Sequence, residues 1–171
     1  SNCQEGLTRV TLGNFLIKRV VYEIQEELPN IKNFGTLSPI PGFRDWFTTL
    51  DEGVIQNILG KIPYSTVSFL RSSSLKVGDG RIVSNKKAII KLVAHYLMNE
   101  KNKKDLPIND VCRFHLGNGA IIEDIVINAN VSEVGFNRSF GVMVNYLYEL
   151  KNIEKNHEDY VNNKNIITVS Y

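Results

Sequence analysis

The run Thr36-Leu37-Ser38-Pro39-Ile40-Pro41-Gly42-Phe43 constrains this chain more than any other stretch. A β-prone segment from Ile31 to Leu37 leads into a serine, and two prolines then forbid further regular pairing. Each proline lacks an N–H and pushes the residue before it out of the α region. Ser38 is therefore expected at the end of a strand, on a stiff and exposed turn. In layered α/β domains such strand ends often carry the chemistry. An ordinary strand-to-loop exit fits the same local pattern.

Upstream, Gly6-Leu7-Thr8-Arg9-Val10-Thr11-Leu12-Gly13-Asn14 runs into a helical pattern from Gly13 to Leu28. Leu16, Val20, Ile24 and Leu28 recur at every fourth residue, and Ile17 and Val21 widen the apolar stripe. Lys18, Arg19, Glu23, Glu26 and Glu27 take the opposite face, and Pro29 ends the helix. A glycine-bearing loop feeding a helix N-terminus is a ready anion site, because free N–H groups and the helix dipole converge there. The loop lacks the Gly-Lys-Ser/Thr of a Walker A motif and does not fit GxGxxG. A plain helix entry therefore stands beside the phosphate-loop reading.

Beyond the Ser38 turn, the pattern predicts short helices over Phe43 to Leu50 and Glu52 to Leu59, with Gly60 as a stop. Val67 to Gly80 mixes helix with loop. Ser84 is expected to cap a helix from about Lys86 to Asn99, with Ile89, Ile90, Val93, Tyr96 and Leu97 inward. Asn99 to Asp105 is a solvated connection. The last third reads as β-rich. Val111 to Leu116 is a candidate strand with His115 near its end, followed by the turn Gly117-Asn118-Gly119. Ile121 to Val131 gives a second strand and Phe140 to Leu150 a third, in which Val142, Val144, Tyr146 and Tyr148 share one face. Asn152 to Asn163 is polar, as helix or loop. Helix interleaved with strand implies an α/β or α+β layered domain.

With 171 residues, 43% hydrophobic and 22% charged, the chain suits one globular domain that buries its core without disulfides or a structural metal. The net charge of +2, with both signs interspersed, points to no nucleic acid or other polyanion as partner. Cys3 and Cys112 share no CxxC spacing, which suits free thiols in a reducing cytoplasm or organelle matrix. His95, His115 and His157 lie far apart, so no metal site is suggested. No apolar run approaches the roughly 20 residues that span a bilayer. Both ends read as cuts through a larger protein, since no Met opens the chain and the β-prone run Ile166 to Tyr171 closes it.

From the residues alone the chemistry is modest: one serine on a proline-stiffened turn, one histidine before a Gly-Asn-Gly turn, and a glycine-bearing helix entry. A lone strand histidine is more often a core or surface residue than a catalyst. A Ser–His hydrolase would lack its GxSxG elbow. The acids Asp45 and Asp51, or Glu123 and Asp124, read as solvated faces.

Five blocks, however, stand in the order of one family. Gly6-Leu7, Leu12 to Val21, Leu37 to Phe43, Arg113-Phe114-His115-Leu116-Gly117-Asn118-Gly119-Ala120 and Gly141 to Tyr148 resemble malonyl-CoA decarboxylases over residues 1 to about 160. The resemblance implies that residues 1–171 are the later part of the family's catalytic domain, without its N-terminal helical domain and first strands. It implies an α/β (α+β) fold of the GNAT-like kind, a mixed sheet flanked by helices that holds coenzyme A between splayed strands. The phosphates would then meet Thr8, Arg9, Val10, Thr11, Leu12, Gly13 and Asn14. Arg9 stands where the family usually has glycine, and its side chain either crowds a phosphate or grips one. Thr11 takes no catalytic role.

The same resemblance assigns catalysis and substrate contact to Ser38 and His115, with Tyr146 as an addition. It implies conversion of malonyl-CoA to acetyl-CoA and carbon dioxide, in fatty-acid and malonate metabolism, without metal, biotin or pyridoxal phosphate. It also implies a homo-oligomer assembled through the helical domain. His115, titrating near neutrality, would give the proton, while Ser38 bonds the carboxylate or enolate and acts as proton acceptor. Three other readings remain open: a CoA-thioester-binding module without turnover, an acyltransferase on the same fold, and a structural or oligomerisation fragment.

Overall fold

The computed structural model describes residues 12–169. Among them, helices α1 (Leu12–Glu27), α2 (Phe43–Thr49), α3 (Glu52–Leu59), α4 (Gly80–Ser84), α5 (Lys86–Met98), α6 (Asp110–Gly117), α7 (Glu133–Ser139) and α8 (Ile153–Asn163) surround a small sheet. Its strands are β1 (Phe34–Pro39), β2 (Ile121–Val126) and β3 (Met143–Tyr148), all antiparallel in the order β1-β3-β2. The fold is mixed α+β. Two short 3-10 helices, Tyr64–Thr66 and Ser68–Arg71, fill the stretch before α4.

The central strand is the alternating one. Val144, Tyr146 and Tyr148 of β3, with Val142 before them, turn to the core, while Met143, Asn145 and Leu147 stay half-buried. The inward residues share one core cluster with Phe43 and Phe47 of α2, Phe140, and Ile89, Leu92, Val93 and Leu97 of α5. Each such side chain contributes about 1.5–3 kcal/mol by leaving water. On the outer edge of β2, Ile122 exchanges backbone bonds with the terminal run: its N–H donates to Ile167 O at 3.0 Å, and Val169 N–H donates to its carbonyl at 3.1 Å.

Several sequence expectations need correction. The stretch from Val111 to Leu116 is helix α6, not a strand. Its β-branched and aromatic residues favour extension locally, but Asn109 caps the helix by accepting from Cys112 N–H at 2.8 Å, and Cys112 and Leu116 bury one turn apart. Ser84 does not cap α5; it ends α4 and its hydroxyl donates back to Gly80 O, while Asn85 stands at the start of α5. The second strand stops at Val126. Residues 133–139, unassigned from sequence, form α7 with Ser132 accepting from Gly135 N–H at 3.1 Å. Phe140 ends that helix in the left-handed region (φ 55°) and does not belong to β3. In α1 the inward face centres on Val21, leaving Val20 and Leu28 exposed.

Two glycines that flank the elements of the site are held there by geometry. Gly42 opens α2 at φ 80°, and a Cβ there would lie 2.8 Å from the Tyr96 hydroxyl. Gly119 turns the chain from α6 into β2 at φ 80°, where a Cβ would fall 2.1 Å from the Ile153 carbonyl oxygen at the start of α8.

Candidate active site

Register decides where the hydroxyls point. Side chains directly opposite in an antiparallel pair share a face. Ser38 pairs with Val144, Thr36 with Tyr146 and Phe34 with Tyr148, so Thr36 and Ser38 join the inner face of β3. Ser38 is the penultimate residue of β1, as the prolines imply, but it is buried at 7% exposure and not displayed on an open turn. The turn itself is anchored from below. Pro41 O accepts from Tyr96 Oη at 3.1 Å and from Asn109 Nδ2 at 2.9 Å.

Asn109 therefore does two things. Its amide nitrogen holds the turn after Ser38, and its amide oxygen caps the helix that carries His115. One buried side chain thus ties the two halves of the site together. His115, on the last turn of α6 and 6% exposed, brings Nε2 to 2.9 Å from Ser38 Oγ and Nδ1 to 2.6 Å from Tyr148 Oη. Thr36 Oγ1 lies 3.5 Å from Nδ1 and 3.4 Å from Ser38 Oγ. The imidazole stacks on Tyr146, with ring centres 4.3 Å apart and planes at 17°.

Burial pushes His115 down to about 4, so it does not titrate near neutrality as its residue type suggests. A neutral imidazole carries a single ring proton, and the network places it. Burial also raises Tyr148, so the phenol is protonated at rest. Ser38 O–H donates to Thr36, so Ser38 has only an acceptor left for the ring: Nε2–H donates to it, and the bare Nδ1 takes the Tyr148 O–H. The result is a directed chain of hydroxyls and imidazole.

Beside this chain, between α1 and β1, lies a cavity of about 460 Å³ lined by Ile17, Val21, Ile24, Phe34, Thr36 and Tyr148. Tyr146 has a different set of contacts. Its hydroxyl bonds the Cys112 thiol, and its ring stacks on His115. Leu12, Gly13 and Asn14 lie at the N-terminal end of α1, while Thr8, Arg9, Val10 and Thr11 lie outside the described residues. Tyr148, Thr36 and Asn109 were missed by sequence reasoning. Strand alternation placed Tyr148 inward but could not separate it from Tyr146. Asn109-Asp110 was a legible helix-capping pair. Among the described residues no three His, Cys, Asp or Glu side chains are placed to hold a metal ion, and no helix is long and apolar enough to cross a membrane.

Comparison with known proteins agrees with the resemblance. The family model described as the malonyl-CoA decarboxylase C-terminal domain matches residues 1–171. The chain is 35% identical to the mitochondrial malonyl-CoA decarboxylase of Rattus norvegicus over 95% of its own length, and spans 37% of that protein. For the mitochondrial enzyme of Anser anser anser the identity is 36%, over 97% of this chain and 36% of the other. The crystal structure of malonyl-CoA decarboxylase from Rhodopseudomonas palustris superimposes with a TM-score of 0.88 at 37% identity, covering 99% of this chain and 39% of that one. That from Agrobacterium vitis gives a TM-score of 0.81 at 34% identity, covering 99% and 42%. On these matches, the chain belongs to the family of malonyl-CoA decarboxylase C-terminal domains.

Proposed function

We propose that this chain carries the reacting residues of a malonyl-CoA decarboxylase, a carboxy-lyase yielding acetyl-CoA and carbon dioxide. The observation that carries the reading is the buried 2.9 Å contact between Ser38 Oγ and His115 Nε2, backed by Tyr148 on the other ring nitrogen and set beside an apolar cavity. Malonyl-CoA is a β-carbonyl acid. Breaking its C–COO⁻ bond leaves the electron pair as a thioester enolate, so the protein need only orient the carboxylate, support the enolate oxygen and return a proton to carbon.

A chain of neutral groups suits that last step. Ser38 gives its hydroxyl proton to the enolate carbon as it accepts the Nε2 proton of His115. Tyr148 refills Nδ1 in the same movement and takes a proton back through the α1–β1 cavity, which it lines. The weak 3.4 Å bond from Ser38 to Thr36 is the one surrendered when substrate enters. Apolar walls from α1 leave the carboxylate poorly solvated and favour neutral carbon dioxide. The coenzyme A phosphates would meet the segment Thr8 to Asn14 in a GNAT-like manner, at the N-terminal end of α1.

The test is acetyl-CoA formation from malonyl-CoA, beside His115→Asn. Product that falls about a thousandfold in the variant, with coenzyme A affinity unchanged, supports the reading. Equal loss of turnover and binding would remove His115 from the proton path. Thioester binding without product in the unsubstituted protein would leave a binding module in place of an enzyme.

A further inference from the structure

The chain of donors has an end, and that end is Thr36. Each hydroxyl has one proton to give. Tyr148 spends its proton on Nδ1 at 2.6 Å, His115 spends its ring proton on Ser38 at 2.9 Å, and Ser38 spends its own on Thr36. Nδ1 has one lone pair, already held by the shorter Tyr148 contact, so Thr36 at 3.5 Å has no strong acceptor there. The Thr36 proton is left over. Burial separates the four in the same way. Ser38, His115 and Tyr148 are 7%, 6% and 1% exposed, whereas Thr36 is only half-buried and lines the α1–β1 cavity.

We infer that Thr36 is a substrate-contacting residue whose hydroxyl donates a hydrogen bond to an acyl oxygen of the thioester bound in that cavity. This rests on the decarboxylase reading of the Ser38–His115 site and adds a group to it. The consequence is chemical. A donor aimed at the thioester oxygen strengthens its bond as negative charge moves onto that oxygen in the enolate, so the contact lowers the barrier more than it tightens binding. Thr36 also sits two residues from Ser38 on the same strand face, which places carbon protonation and oxygen support on one rigid element.

The test uses the intact protein with Thr36→Val, which keeps the shape and loses the hydroxyl, and Thr36→Ser, which keeps the hydroxyl and loses the methyl. Turnover should fall about a hundredfold in Thr36→Val with KM nearly unchanged, and Thr36→Ser should recover most of it. A spectroscopic readout separates contact from packing. The carbonyl stretch of bound, isotopically labelled acetyl-CoA should lie lower in the unsubstituted protein than in Thr36→Val. Unchanged turnover and stretch in Thr36→Val, or equal impairment of Thr36→Ser, would overturn the role. Should the protein bind acetyl-CoA yet release no product from malonyl-CoA, the decarboxylase reading fails, and the carbonyl shift alone still decides whether Thr36 meets the thioester.

Discussion

Helix α6 presents two buried clusters one turn apart, and they differ in everything but their ingredients. At His115, the hydroxyls of Tyr148, Ser38 and Thr36 form a directed chain that ends at a cavity. At Cys112, the Tyr146 hydroxyl bonds a thiol that burial pushes up to about 12, and the thiol's other partner is Leu97 O at 3.9 Å. Nearby, the Tyr160 hydroxyl is buried and, among the described residues, has no hydrogen-bond partner. The thiol stays protonated and the second cluster goes nowhere. Buried polar residues become chemistry only where their protons are ordered toward something that can receive them; otherwise they are packing with a polar cost.

The two tyrosines of β3 give the sharpest way to break this contrast. Tyr148→Phe cuts the supply to Nδ1 and should lower turnover about a hundredfold. Tyr146→Phe keeps the stack on His115 and should cost only about 1 kcal/mol of stability, with little change in rate. Steady-state kinetics beside urea unfolding of both variants decides. The reverse ranking would move the working tyrosine back to Tyr146.

A second effect concerns acid. His115 has an ordinary value of 6.5 and is held at about 4 in the folded chain. Between those values the unfolded chain takes up the proton first, so folding loses stability as pH falls through that window, and the loss levels off below it. His115→Gln should flatten this part of the slope in unfolding measured from about pH 7 to about pH 4. An unchanged slope would mean the imidazole is wetter than its burial indicates.

The smallest effect belongs to the idle cluster. Tyr160→Phe removes a hydroxyl with no partner among the described residues, and should leave stability unchanged or raise it by about 1 kcal/mol on thermal unfolding. A loss of stability would show that the hydroxyl is paired after all.

Much of this layout was written locally. Proline chemistry ended β1 next to Ser38, the period of two put Tyr146 and Tyr148 on one face, and α2, α3 and α5 followed their apolar spacing. What local pattern missed was decided by partners distant in sequence. Val111 to Leu116 reads as strand until Asn109 is seen capping a helix and bonding Pro41, 68 residues away. The burial of Ser38 and the separate duties of the two tyrosines depend on register between β1 and β3, which no single segment encodes.

The joint at Gly119 has its own consequence. It meets α8 with no room for one more carbon, and α8 holds its neighbours: His157 Nδ1 donates to Gly117 O at 2.7 Å and Asn156 Nδ2 to Gly119 O at 3.3 Å. A methyl at 119 would act as a wedge, driving α8 outward and dragging the end of α6 with it. Every group of the Ser38–His115 chain would survive intact in kind and be misplaced in position. Such a lesion would escape anyone who checked the reactive side chains alone, and a compensating change would have to arise in α8.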